Sequence, residues 1–499
     1  MWWALVLPPC PAGAQDSRRS WDGFGRDPQH TALAGVPTQR LDRIRWQTPV
    51  DRMPRYTGTS LLIHYGSPLV TNGNTVIVPV KTGLTGGFEV EGRRGRDGTL
   101  LWTESTDYVL PPHRWVPGFS PALSRGRVWI PGGGGVLYAR TALDSPKGGS
   151  TQRVVFYGLE NYLDAPSTYL GAVFINTPIT ADDRGSLYFG FHVTRPTPLD
   201  LRSGVARISP DGSAVWVGAA DAAGDPTMTK VAHNSAPALS NDGRTLYVAV
   251  NRGPGRGGGP GYLLALDSRT LVTLSKVRLK DPATGLDALV FDDGTASPTV
   301  GPDGDVYFGV LENPFYSHRA RGWLLHFDPD LRPKPANGGF GWDDTASIVP
   351  SAIVPSYQGT SPYLLMTKYN DYAQAGGGGV NRMAVLDPND QRVDPISGVP
   401  VMREVLTVTG PTPDQDFLPF FPNAVREWCI NTAAVDPSTR SVLVNSEDGL
   451  LYRWDLTTGA LSESVVLTAG IGEAYTPTVI GADGTVYAIN NAILFAVGE

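Results

Sequence analysis

Histidine, arginine, asparagine and carboxylate residues recur along the 499-residue chain a few positions ahead of a small residue that opens an apolar run. His64 and Tyr65 precede Ser67-Pro68, His113 and Arg114 precede Ser120-Pro121, Asn176 precedes Thr177-Pro178, and His233 and Asn234 precede Ala236-Pro237. Acids take the same place further on: Asp292 and Asp293 before Ser297-Pro298, Asp343 and Asp344 before Ser347, Glu427 before Ile430, and Glu473 before Thr476-Pro477. Polar residues gather again after the next apolar run, at Lys81, Asn251, Glu312, Lys368-Tyr369-Asn370-Asp371, Asn445 and Asn490. Brought together, such groups could orient a polar ligand between a cationic and an anionic half, or hold a divalent cation. Histidine facing carboxylates could also perform general acid-base chemistry, because their ordinary pKa values bracket neutrality and burial shifts them.

Whether these groups meet depends on the elements between them. Ser297 to Val310 reads SPTVGPDGDVYFGV, two apolar runs separated by Gly-Pro-Asp-Gly. Proline biases its predecessor to an extended backbone, Asp303-Gly304 supplies a turn, and Val306-Tyr307-Phe308 is rich in β-formers. The stretch is predicted to be a hairpin. Related stretches begin at Ser67, Ser120, Thr177, Ala236 and Thr476, and the prolines at 68, 121, 178, 237 and 298 are spaced by 53 to 61 residues. That is a repeat period. Weaker copies at Val349 to Met366 and Ile430 to Val444 fill the interval before Pro477, giving eight units.

Each middle unit carries two more strand-like runs, such as Gly261 to Asp267 and Leu271 to Leu279. Four strands per unit make a propeller blade. The expected fold is therefore all-β, an eight-bladed propeller of four-stranded antiparallel blades over residues 41–499, with seven blades as the alternative. The last unit offers only three strands, and the run from Leu41 to Trp46 has no local partner, so the N-terminal strand is expected to close the final blade. In such a blade the entry to the inner strand and the loop after the second strand share one rim. The predicted ligand-binding residues at that mouth are His64, His113, Arg114, Asn176, His233, Asn234, Asp292, Asp343, Asp344, Lys368, Asn370, Asp371, Glu427 and Glu473. Taken singly, each is also what a solvated loop requires, so their convergence carries the binding reading.

Two blades carry a further signature: Ala206 to Gly212 (ARISPDG) followed by Trp216, and Arg96-Asp97-Gly98-Thr99 followed by Trp102. These resemble the docking motif of the quinoprotein-like, or PQQ-like repeat, propeller family, from about Trp46 to the end of the chain. The resemblance implies the scaffold. The family includes quinone-dependent dehydrogenases and the propeller subunit of an outer-membrane protein assembly machine. The dehydrogenases' adjacent Cys-Cys pair is absent, their calcium-binding Glu, Asn and Asp find no match, and PQQ is not expected. Trp102 and Trp216 are expected to pack between blades, and His30 and His326 fall off the rim.

Composition narrows the function further. Gly at 59 and Pro at 43 suit many turns and few helices, and no helix is predicted. A net charge of -7 with 18% charged residues favours neither nucleic acid nor an acidic membrane surface. Residues 1–14 are an apolar run ending in Ala12-Gly13-Ala14, read as a signal peptide, with 15–40 a lead-in. Loss of Cys10 with that leader leaves Cys429 alone, expected as a buried inert thiol without a disulfide partner. No later segment has the apolar length to cross a bilayer. Gly-x-Ser-x-Gly, His-Glu-x-x-His and Asp-x-Asp-x-Asp-Gly are all absent.

The chain reads as an exported, periplasmic or extracellular monomer that binds a small polar ligand, a metal or an extended peptide at the channel mouth. The alternative is a metal-assisted hydrolase or lyase using His64, His113 or His233 opposite the carboxylates. Whether it is an enzyme stays open at this point, and a divalent cation is the one cofactor left in play.

Overall fold

Each proline-led run forms a short inner strand, and the turn after it sends the chain back antiparallel. In the unit first met, Thr299–Val300 pairs with Val306–Val310, with Gly301 N–H donating to Asp305 O (2.8 Å) and Gly304 at φ 92°. Only glycine takes that backbone cheaply. The computed structural model describes residues 19–57, 60–61, 65–112, 118–253, 258–470, 472 and 475–499, so the leader lies outside it.

Eight blades follow in order around a central axis: 69–106, 122–155, 180–218, 238–278, 299–338, 347–409, 434–466, and 479–498 completed by Arg43–Pro49. The eighth blade confirms the expected closure, with Arg43 opposite Gly498 and Pro49 opposite Ile493. Trp46 on that closing strand then donates its indole N–H to Gly95 O of blade one (2.7 Å), which locks the ring. Trp102 repeats the device between blades one and two, donating to Leu143 O (2.7 Å) while Arg140 stacks on its ring. Trp102 packs between blades, as the motif predicts, while Trp216 meets Phe191 of its own blade edge-on (6.0 Å).

Two details depart from the sequence reading. Blade five has only three regular strands. Its outer edge is an irregular run touching the third strand through isolated bridges at Pro333 and Gly338, because Pro333 and Pro335 cannot donate to a ladder. Short helices also occur, Leu159–Asp164 and Pro166–Leu170 between blades two and three and Ala219–Ala223 after blade three. Helices of five or six residues are too short to show periodicity in a sequence.

The lead-in is built into the channel. Trp21 exchanges both backbone hydrogen bonds with Val70, and the carbonyls of Asp22, Pro28, Gln29, Thr31 and Ala32 accept from Leu123, Leu239, Val300, Ile348 and Val435 in turn (2.7 to 3.0 Å). Gln39 N–H then donates to Gly484 O of blade eight (2.8 Å). This strap therefore covers the inner strand edges of six blades and the hairpin turn of blade eight, groups that would otherwise be unpaired. Left-handed backbone at Arg26, His30 and Ala32 bends it around the axis. Gln29 also donates to Ser240 O, at the start of the hairpin turn of blade four, so the strap lies toward the end of the channel opposite the rim.

Candidate functional site

The rim residues fall into two sectors. Between blades three and five, Lys230 Nζ donates to Asn251 Oδ1 (2.9 Å) and to Asp292 Oδ2, and Asp292 Oδ1 accepts from Asn251 Nδ2 (2.8 Å) and from His233 N–H (3.1 Å). Burial lowers the Lys230 pKa although Asp292 opposes the shift. The His233 ring packs edge-on against His192, 5.9 Å between centroids, and burial followed by the Lys230 charge lowers His192 to about 4. Asn176 is fully buried, donating to Val231 O (2.9 Å) while its carbonyl accepts from Asn234 N–H (2.9 Å). These contacts tie blade three to blade four.

The second sector spans blades five to eight. Lys368, at the end of the second strand of blade six, forms a buried ion pair with Asp343 (Nζ to Oδ2, 2.8 Å), and its own N–H donates to Asp344 Oδ2 (2.8 Å). Burial opposes the Lys368 charge, but Asp343, then Cys429 and Asp344, hold its pKa above the ordinary value. Burial pushes Asp344 up to about 7. The Lys368 ammonium lies 5.5 Å from the Tyr475 ring centroid, and the Tyr475 hydroxyl lies 3.1 Å from Cys429 Sγ. Cys429 in turn donates to Glu447 Oε2 (3.0 Å), and Glu447 Oε1 accepts from Glu427 N–H (3.1 Å). Glu427 and Glu447 are both pushed up, by burial first and, for Glu427, by the neighbouring Glu447 charge.

Local structure explains the alignment. Glu427 and Cys429 are two apart in an extended segment, so their side chains leave the same face while Trp428 leaves the other. Trp428 is buried edge-on against Tyr452 (5.6 Å), and its backbone is clamped on both sides by Asn370, whose Oδ1 accepts from its N–H and whose Nδ2 donates to its carbonyl (3.2 Å each). Gln374 donates to Glu427 Oε1 (2.9 Å).

Of the sequence-predicted residues, Asp343, Asp344, Lys368, Asn370 and Glu427 share this second sector. Asn176, His233, Asn234 and Asp292 share the first. Asp371 is drawn to Arg319 (2.9 Å), which lies in the loop between the second and third strands of blade five, and to Gly378 N–H. His64, His113, Arg114 and Glu473 lie outside the described residues. Glu447, Tyr475 and Lys230 were not among the predicted ligands, and Cys429, read as inert, is hydrogen-bonded within the network. Glu447 occupies a Ser-Glu-Asp-Gly turn two residues past the second strand of blade seven, the loop position that Lys368 and its neighbours mark in blade six. That equivalence was the available signal. His30 and His326 lie off the rim: both are buried, bonded to Pro298 O (2.7 Å) and Asp305 Oδ2 (2.9 Å).

No family model and no curated protein matches the chain. Among solved structures, a europium-containing methanol dehydrogenase is similar with TM-score 0.57 and 10% identity, over 94% of this chain and 89% of its own. The quinohemoprotein alcohol dehydrogenase from Comamonas testosteroni is similar with TM-score 0.57 and 12% identity, over 96% and 81%. At that identity the likeness shows the fold alone, an eight-bladed propeller. The adjacent cysteine pair has no counterpart, since Cys429 stands between Trp428 and Ile430 with its thiol engaged by Glu447 and Tyr475.

Proposed function

We propose that this propeller is a binding protein that takes a small polar ligand at the carboxylate-rich sector of its mouth. The supporting observation is the chain of contacts from Asp343 through Lys368, Tyr475 and Cys429 to Glu447 and Glu427, assembled from five separate rim segments. A blade needs only a plain turn at each of these places, so a shared network across three blade junctions suits recognition by loops held on a rigid ring. Half-buried Glu427 and Glu447 favour a ligand bearing positive charge or several donors. The strap across the far end of the channel favours a short ligand entering from the rim over a peptide threaded through. Export of the mature chain after Ala14 belongs to the same reading, and N-terminal sequencing of the secreted protein tests it.

Thermal unfolding against amines, sugars, short peptides and divalent cations tests the binding. A true ligand at one hundred times its Kd stabilises the wild type by about 2.7 kcal/mol and raises Tm accordingly, with a smaller rise in Glu427→Gln. No rise with any class, or equal rises in both proteins, would overturn the proposal.

A further inference from the structure

Cys429, Glu427 and Glu447 each present one ligand atom, and the three atoms lie within 4.8 Å of one another. We infer that they form a binding site for a thiophilic divalent cation of the zinc class, a deepening that rests on the mouth being a ligand site. Sulfur at about 2.3 Å and oxygen at about 2.1 Å around a tetrahedral ion stand about 3.5 Å apart, so glutamate torsions alone close the present spread. The donor set selects the metal. One thiolate and two carboxylates suit a borderline ion such as zinc, whereas calcium and magnesium require six or more hard oxygen ligands.

The surroundings are arranged as a ligand's second layer is. Asn370 fixes the Trp428 backbone on both sides and thereby aims Glu427 and Cys429 the same way. Gln374 bonds Glu427 Oε1, and Tyr475 reaches the sulfur from the next blade junction. Sulfur and two carboxylates therefore converge from two strand-bordering loops, with three protein ligands and a fourth position left for water or the polar ligand. Three protein ligands with one open place is the arrangement of a zinc site that exchanges its fourth ligand.

The test uses the full chain, freed of metal by chelation and titrated with cobalt(II). The expected result is one cobalt per chain with a thiolate-to-cobalt charge-transfer absorption, abolished by zinc and by Cys429→Ser. Glu427→Gln should weaken zinc on the order of tenfold or more, and Glu160→Gln, an exposed acid outside the network, should leave the absorption in place. Circular dichroism of the metal-free variants, matching the wild type, separates lost ligation from lost folding. A wild type without the absorption, or a Cys429→Ser protein that retains it through Cys10, overturns the inference. If zinc fails while an organic ligand still raises Tm in the wild type and less in Glu427→Gln, the metal is wrong and the mouth reading stands. If both fail, the mouth reading falls too.

Discussion

Lys368 illustrates how the rim departs from ordinary surface. Its side chain is 1% exposed and paired with a carboxylate that is itself buried, so removing one partner strands the other charge away from water. Lys368→Met should cost about 3–5 kcal/mol in urea unfolding, and the double variant Lys368→Met/Asp343→Leu should recover most of it. A single-variant cost below about 1 kcal/mol would contradict a charged buried pair. Asp343 and Lys368 were legible because each stands at a rim position fixed by the repeat. Glu447 offered only its loop equivalence to the Lys368 segment, and Lys230, a lysine before an apolar pair, carries no mark of a burial that arises only when the neighbouring blade closes over it.

The strap from Trp21 to Gln39 shows the limit of local reading. Its partners lie 49 to 445 positions away, from Val70 for Trp21 to Gly484 for Gln39, and a polar stretch without period gives no hint of them. The hairpins were legible because Ser-Pro, Asp-Gly and alternating β-formers act within a dozen residues. His30 anchors the strap, its ring fully buried, and burial lowers its pKa to about 4 despite the bond to Pro298 O. The unfolded chain takes up that proton near pH 6.5 and the folded chain only near 4, so the unfolded state holds more protons between them and stability falls as pH drops. Asparagine tolerates the left-handed backbone of this position (φ 61°) and keeps a donor. The stability of the wild type relative to His30→Asn, followed by urea unfolding, should therefore fall by about 3 kcal/mol from pH 6.5 to 4. A flat difference would mean that the histidine is not held neutral by burial.

Eight blades close because the chain returns to its beginning: Arg43–Pro49 fills the edge that the last three strands leave open. That closure was readable from one unpartnered strand and one incomplete blade. The count of eight was harder, since blade five trades its outer strand for a proline-rich run and blade six carries a bulged strand of 12 residues, Arg382–Val393. Ring geometry is what brings Asp343 and Tyr475, 132 positions apart in sequence, into one network. Crystals of the full chain grown without metal and soaked in zinc chloride give the decisive readout, an anomalous difference map. One peak about 2.3 Å from Cys429 Sγ, between Glu427 and Glu447, is expected. A map with no peak there, or with zinc only at exposed acids elsewhere, would contradict the cation site.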